Sequence, residues 1–128
     1  MAAPQQLGEL QLAIMQIIWQ RGEASAADVH AALLAERGLA FTTIATMLAK
    51  MEQKGVVAHR AEGRKFIYRP LVSERDVQDS MVGEIKDRLF GGDVTALVSH
   101  LLSTHDLDAA ELSRLKALIA AQEQKDHE

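Results

Sequence analysis

Thr43, Thr46, Lys50 and Gln53 recur at helical spacing within the stretch Thr42 to Gly55, TTIATMLAKMEQKG, and no carboxylate stands among these four positions. Threonine hydroxyls can donate to or accept from base edges, threonine methyls can touch a thymine methyl, and lysine can pair with phosphate. The chemistry this face offers is therefore recognition of double-stranded DNA rather than bond making. Thr42 and Lys54 extend the polar set at its two ends. Ile44, Met47, Leu48 and Met51 form an apolar stripe on another side of the same helix, the pattern of a helix with one face in a core and one free for a groove. A few residues on, His59-Arg60-Ala61-Glu62-Gly63-Arg64-Lys65 places a glycine turn between the β-prone runs Val56-Val57 and Phe66-Ile67-Tyr68. Arg60, Arg64 and Lys65 are the candidate phosphate contacts there, and such contacts give affinity and salt dependence without sequence information.

Other chemistries find little in the chain. Ser99 and His100 are adjacent, and neighbours on a helix point about 100° apart, which disfavours a nucleophile and base pair. No phosphate-binding glycine loop or metalloprotease motif is present. The absence of cysteine removes disulfides, thiolate zinc sites and iron-sulfur clusters, and His100 and His105 fall on different faces of any continuous helix. The expectation is a protein with no catalytic residues, no metal site and no cofactor. Each binding residue also has an ordinary reading. Lysines on an exposed helix are usually solvated, and Arg64-Lys65 could protect a strand edge. Trp19, Phe41 and Tyr68 each lie beside an apolar element and are expected in the core or at its edge.

The elements that must hold this face are legible from caps and periodicity. A first helix from about Gly8 to Arg21 carries Leu7, Leu10, Ile14, Ile17 and Ile18, with Gln11 as a weak capping partner. Ser25 and Asp28 make a capping box for a second helix, with Val29, Ala32 and Leu33 inward and Gly38 as its stop. The Thr42 helix and the hairpin follow, and three short helices, a hairpin and a basic tip together describe a winged helix. Which hairpin face is buried stays open: both Val57/Phe66/Tyr68 and Val56/Ala58/Ile67 are plausible inward sets.

Arg69-Pro70 forces an extended exit and marks the expected boundary between a winged-helix domain, 1–71, and a helical domain, 72–128. Ser73 and Asp76 open a helix with Val77, Met81, Ile85 and Leu89 at four-residue intervals, a narrow seam that suits a partner helix. Phe90 precedes a Gly-Gly break, after which Asp93 caps a short helix with Val94, Leu97, Val98 and Leu101. Asp108 and Glu111 open a last helix with Leu112, Leu115 and Ile119, and the polar stretch from Gln122 to Glu128 is expected to fray. Three short helices cannot easily bury these aliphatics among themselves, so Val77, Met81, Ile85, Leu89, Phe90, Leu97, Leu101, Leu112, Leu115 and Ile119 are the expected dimerisation set. The fold class is mainly α with a small β-hairpin.

The formal net charge of the 128 residues is -4, which argues against a nucleic-acid binder until the charge is located. Residues 1–70 hold eight Lys/Arg against six Asp/Glu, while residues 71–128 hold six against twelve. Between 37 and 69 the balance is seven basic to two acidic. Screening confines each charge to about 10 Å, so a local basic surface on an acidic chain can still neutralise phosphates. The N-terminus lacks a basic and apolar leader pattern, and no run of 18 apolar residues occurs, from which a cytoplasmic protein with no membrane partner is expected.

Taken in order, LGELQLAIMQIIWQRG, TTIATMLAKMEQKGVVAHRAEGRKFIYRPLVS and RLFGGDVTALVSHLL resemble the BlaI/MecI/CopY (penicillinase repressor) family of bacterial transcriptional repressors over nearly the whole chain. The resemblance implies an N-terminal winged helix, a C-terminal three-helix dimerisation domain, a homodimer on a pseudo-palindromic operator, and repression relieved by an upstream signal through a sensor or protease partner. The family's recognition helix matches Thr42 to Lys54, its groove-facing threonines match Thr43 and Thr46, its following basic residue matches Lys50, and its wing arginine matches Arg64. Ala45 stands where relatives often carry a longer polar side chain. The copper-responsive branch ends in a cysteine-rich hook that this chain lacks. The Asn-Phe bond cut in the β-lactam-responsive branch aligns with His100-Leu101, so proteolytic induction does not carry over. Two other functions compete with the repressor: a winged-helix module for protein-protein assembly, and a regulator gated by a small molecule.

Overall fold

Serine and aspartate caps start four of the six helices. In the computed structural model, which describes residues 7–127, the elements are α1 (Glu9–Arg21), β1 (Ala24–Ser25), α2 (Ala26–Arg37), α3 (Phe41–Gln53), β2 (Val57–Glu62), β3 (Lys65–Pro70), α4 (Glu74–Phe90), α5 (Val94–Thr104) and α6 (Ala109–Asp126). Ser25 Oγ accepts from the Asp28 N–H at 3.1 Å while the Asp28 carboxylate accepts from the Ser25 N–H at 3.0 Å, a reciprocal cap on α2. Those two bonds hold the Asp28 carboxyl below its ordinary value. Ser73 caps α4, Asp93 caps α5 and Asp108 caps α6 through the N–H groups of Asp76, Ala96 and Glu111. Gly38, in the left-handed region, closes α2 by donating to the Leu34 carbonyl.

The sheet has the order β1-β3-β2, all antiparallel, with Ala24 opposite Tyr68 and His59 also opposite Tyr68 on the other edge. β1 is a strand the sequence did not announce, since two residues carry no periodicity. Glu62 pairs with Lys65, leaving Gly63-Arg64 as a two-residue turn. Gly63 has φ 62° and Arg64 has no positive φ, the sign pattern of a type II′ turn, which favours glycine at its first central position. Val56, Val57 and Tyr68 are buried at the base of the hairpin, drawn from both candidate sets, while Phe66 is exposed, so burial follows nearness to the base rather than one face.

The chain divides into two compact units, one ending at Glu84 and the other beginning at Ile85. In the first, Ile14, Met15, Ile18, Val29, Ile44, Leu48, Met51, Val56 and Val57 are fully buried and form one core from α1, α2, α3 and the sheet. Val72 and Val77 belong to this core, and Trp19 Nε1 donates to the Val72 carbonyl at 3.0 Å. Packing therefore runs past Pro70 into the first turns of α4. In the second unit, α5 and α6 contain no buried residue. α6 continues to Asp126, so Gln122 to Asp126 are helical where fraying was expected; Glu128 lies outside the described residues. Among the described residues no single helix is long and apolar enough to cross a membrane.

Candidate nucleic-acid interface

The buried stripe Ile44, Leu48 and Met51 fixes α3 by one side, with Met47 partly buried beside it. Thr42, Thr43, Thr46, Lys50, Gln53 and Lys54 are all exposed. The helix begins at Phe41, one residue before the expected start, and its N-cap, Ala40, offers no side-chain hydrogen bond. Lys54 Nζ donates to Gln11 Oε1 at 3.2 Å, which ties the end of α3 to α1. The single carboxylate of α3, Glu52, sits off this face and pairs with His59 Nδ1 on β2 at 2.6 Å. Thr42, Thr43, Thr46 and Lys50 thus form an exposed polar strip that no carboxylate neutralises.

The wing differs from expectation at one cation. Arg60 was a candidate phosphate contact, but its guanidinium donates twice to Glu23, at 2.7 and 2.9 Å, and once to Glu62 at 3.0 Å. These bonds raise the Arg60 pKa above its ordinary value, and the same guanidinium lowers that of Glu23. Two carboxylates already satisfy the charge that a phosphate would need, so Arg60 clamps β2 to the segment before β1 instead. Sequence reading missed this because Glu23 and Arg60 are 37 positions apart and share no local motif. Arg64 and Lys65 stay exposed at the turn, and neither they nor Lys50 is held in an ion pair among the described residues. Burial raises the Tyr68 phenol above its ordinary value, with the Glu52 charge adding to the effect.

One aromatic is placed differently from expectation. Tyr68 is buried and Trp19 packs against the core, but Phe41 is 46% exposed; Phe66, whose face the sequence left open, is 51% exposed towards the hairpin tip.

The expected dimerisation set splits. Val77 is 2% exposed inside the first unit's core, and Met81 packs against that core, so these two are held within the chain. Ile85, Leu89, Leu101, Leu112, Leu115 and Ile119 are exposed, while Phe90 and Leu97 are partly buried. Val94, Val98, Leu102 and Leu118 are exposed as well and join the same apolar surface. Val98, Leu101, Leu102, Leu115 and Leu118 from α5 and α6 line an open groove of about 650 Å³. Among the described residues no group of His, Asp or Glu is arranged to hold a metal ion.

Comparison with known proteins places this geometry. The penicillinase repressor family model matches residues 7–121. The transcriptional regulator BlaI of Mycobacterium tuberculosis is 33% identical over 117 residues, covering 89% of this chain and 84% of that one. The penicillinase repressor of Bacillus licheniformis is 26% identical over 114 residues, covering 89% of each. The solved structure of monomeric Bacillus licheniformis BlaI in complex with the blaP half-operator aligns with a TM-score of 0.51 at 32% identity. That match covers 59% of this chain and 93% of that one.

Proposed function

Because the chain belongs to the penicillinase repressor family of DNA-binding transcriptional repressors, we propose that it works as a homodimer on a pseudo-palindromic operator and leaves it on an upstream signal. The observation that carries the reading is the exposed, carboxylate-free strip Thr42, Thr43, Thr46 and Lys50 beside a turn bearing Arg64 and Lys65. The threonines read base edges in the major groove of an A/T-containing half-site, while Lys50, Lys54, Arg64 and Lys65 meet phosphates. The Bacillus licheniformis relative, solved on a half-operator, supports double-stranded DNA as the partner.

Homodimerisation rests on the second unit. α5 and α6 contain no fully buried residue, and Ile85, Leu89, Leu101, Leu112, Leu115, Leu118 and Ile119 leave an apolar surface that a second copy of the chain would cover. A monomeric winged helix reads few base pairs, and linking two raises the effective concentration of the second at its half-site. The dimer acts in the cytoplasm, and an upstream signal releases it.

Selection of bound sites from a random DNA pool at low salt tests the proposal. The full chain is expected to enrich an inverted repeat. Enrichment of a lone half-site would overturn the dimer, and no enrichment would overturn DNA recognition and return α3 to the competing role of a protein-binding surface.

A further inference from the structure

Phe41 and Phe66 are the two exposed aromatics of the first unit, and they meet across a recess of about 260 Å³ between α3, the start of α2 and the wing. Ala45, one turn after Phe41, and the buried Tyr68 also line it, and Arg64 and Lys65 supply its charge. None of the lining side chains is acidic. Large apolar side chains half open to water beside two cations, of which Lys65 also acts at longer range on the Asp28 carboxylate, call for an occupant that is apolar on one side and anionic on the other.

Both phenyl rings are braced. His30 meets Phe41 edge-on at 5.8 Å and is itself held by a 2.9 Å bond to the Leu39 carbonyl. His59 packs on Phe66 at 4.3 Å and is held by Glu52. Neither imidazole lines the recess, so each ring is supported by a histidine outside it while the recess remains free. Ordered rings lose little freedom when a partner arrives.

Phe41 and Ala45 stand four residues apart on α3, one position before Thr42 and Thr46 respectively, so the recess adjoins the strip proposed to enter the groove. We propose that it receives the apolar edge of one thymidine of the operator, the 5-methyl group with its deoxyribose, while Arg64 and Lys65 hold the adjoining phosphate. This rests on the DNA-binding reading and deepens it. Phenylalanine and alanine contact thymine methyls without hydrogen bonding, so the recess reads a thymine at a position beside those that Thr43 and Thr46 face. The short Ala45 side chain is what leaves the recess open beside Phe41.

The test replaces each thymine of the selected operator in turn by uracil, which lacks only the methyl group, and measures affinity for wild type, Phe41→Ala and Phe41→Leu. In the wild type one position in each half-site should lose about fourfold, the worth of one buried methyl group. That loss should vanish in Phe41→Ala and persist in Phe41→Leu, with the same dependence of affinity on salt in all three. Phe66→Ala should weaken binding without changing the salt slope, whereas Arg64→Ala should lower the slope by about one per protomer, about two for the dimer on an inverted repeat. Uracil tolerated everywhere by a tightly binding wild type would overturn the recess and leave DNA recognition standing. A uracil effect that survives in Phe41→Ala would assign the methyl contact elsewhere, and a wild type that binds no DNA would overturn both. Unchanged thermal unfolding of Phe41→Leu keeps the result from being a folding effect.

Discussion

The two units solve the same problem in opposite ways. The first gathers Ile14, Ile18, Ile44, Leu48 and Met51 into a core that water does not reach, while the second carries an equally aliphatic set on α5 and α6 and buries none of it. A region that closes its own core has a stability belonging to one chain. A region that leaves Leu89 at 74% exposure and Leu118 at 67% draws its stability from whatever covers those side chains. The function proposed above puts DNA recognition in the first unit and pairing in the second.

The sharpest way to break this comparison is to damage both cores alike. Leu48→Ala in the first unit should cost about 2–5 kcal/mol in denaturant unfolding, whatever the protein concentration. Leu118→Ala, at an exposed site, should leave unfolding of the dilute chain nearly unchanged and instead shift the concentration at which α5 and α6 gain protection from hydrogen exchange. Equal, concentration-independent losses would remove the distinction.

Smaller effects sharpen it within the first unit. Ser25→Ala removes the reciprocal cap of α2 and should cost about 1 kcal/mol in thermal unfolding. Arg64→Ala with Lys65→Ala should weaken binding to all DNA sequences alike and flatten the salt slope, whereas Arg60→Ala should disturb the wing with little change of slope, because Glu23 and Glu62 already neutralise Arg60. Reversed slopes for the two variants would return Arg60 to the interface. The least effect concerns acid. Glu23 and Asp28 both have pKa values lowered in the fold, chiefly by the Arg60 bond and the Ser25 backbone bond respectively. Their stabilisation is therefore complete above the ordinary carboxylate range and lost as pH falls through the lowered values. Both groups are exposed, so the loss should be small. Glu23→Gln should flatten thermal stability against pH in that window, and an unaltered profile would count against the clamp.

What the sequence made legible was local. Ser25, Ser73, Asp93 and Asp108 cap helices because each accepts from a backbone N–H three residues on, a relation visible within one turn. The outward strip of α3 follows from its apolar stripe for the same reason. What stayed hidden depended on contacts distant in sequence. β1 exists because β3 offers it an edge, Arg60 is clamped by a glutamate from before β1, and Val77 sits in a core built mostly by the first 72 residues. Phe41 is harder still, because an apolar residue next to an apolar element reads as core until the neighbouring elements are in place.

The most direct test of the division between reading and pairing is the affinity ratio between an inverted-repeat operator and a single half-site, measured for wild type and for Leu118→Glu. The account predicts that the wild type prefers the repeat by about two orders of magnitude or more, the range that linkage of two modules supplies. It predicts that Leu118→Glu loses that preference while keeping its half-site affinity. Loss of half-site binding in the variant, or no preference in the wild type, would contradict it.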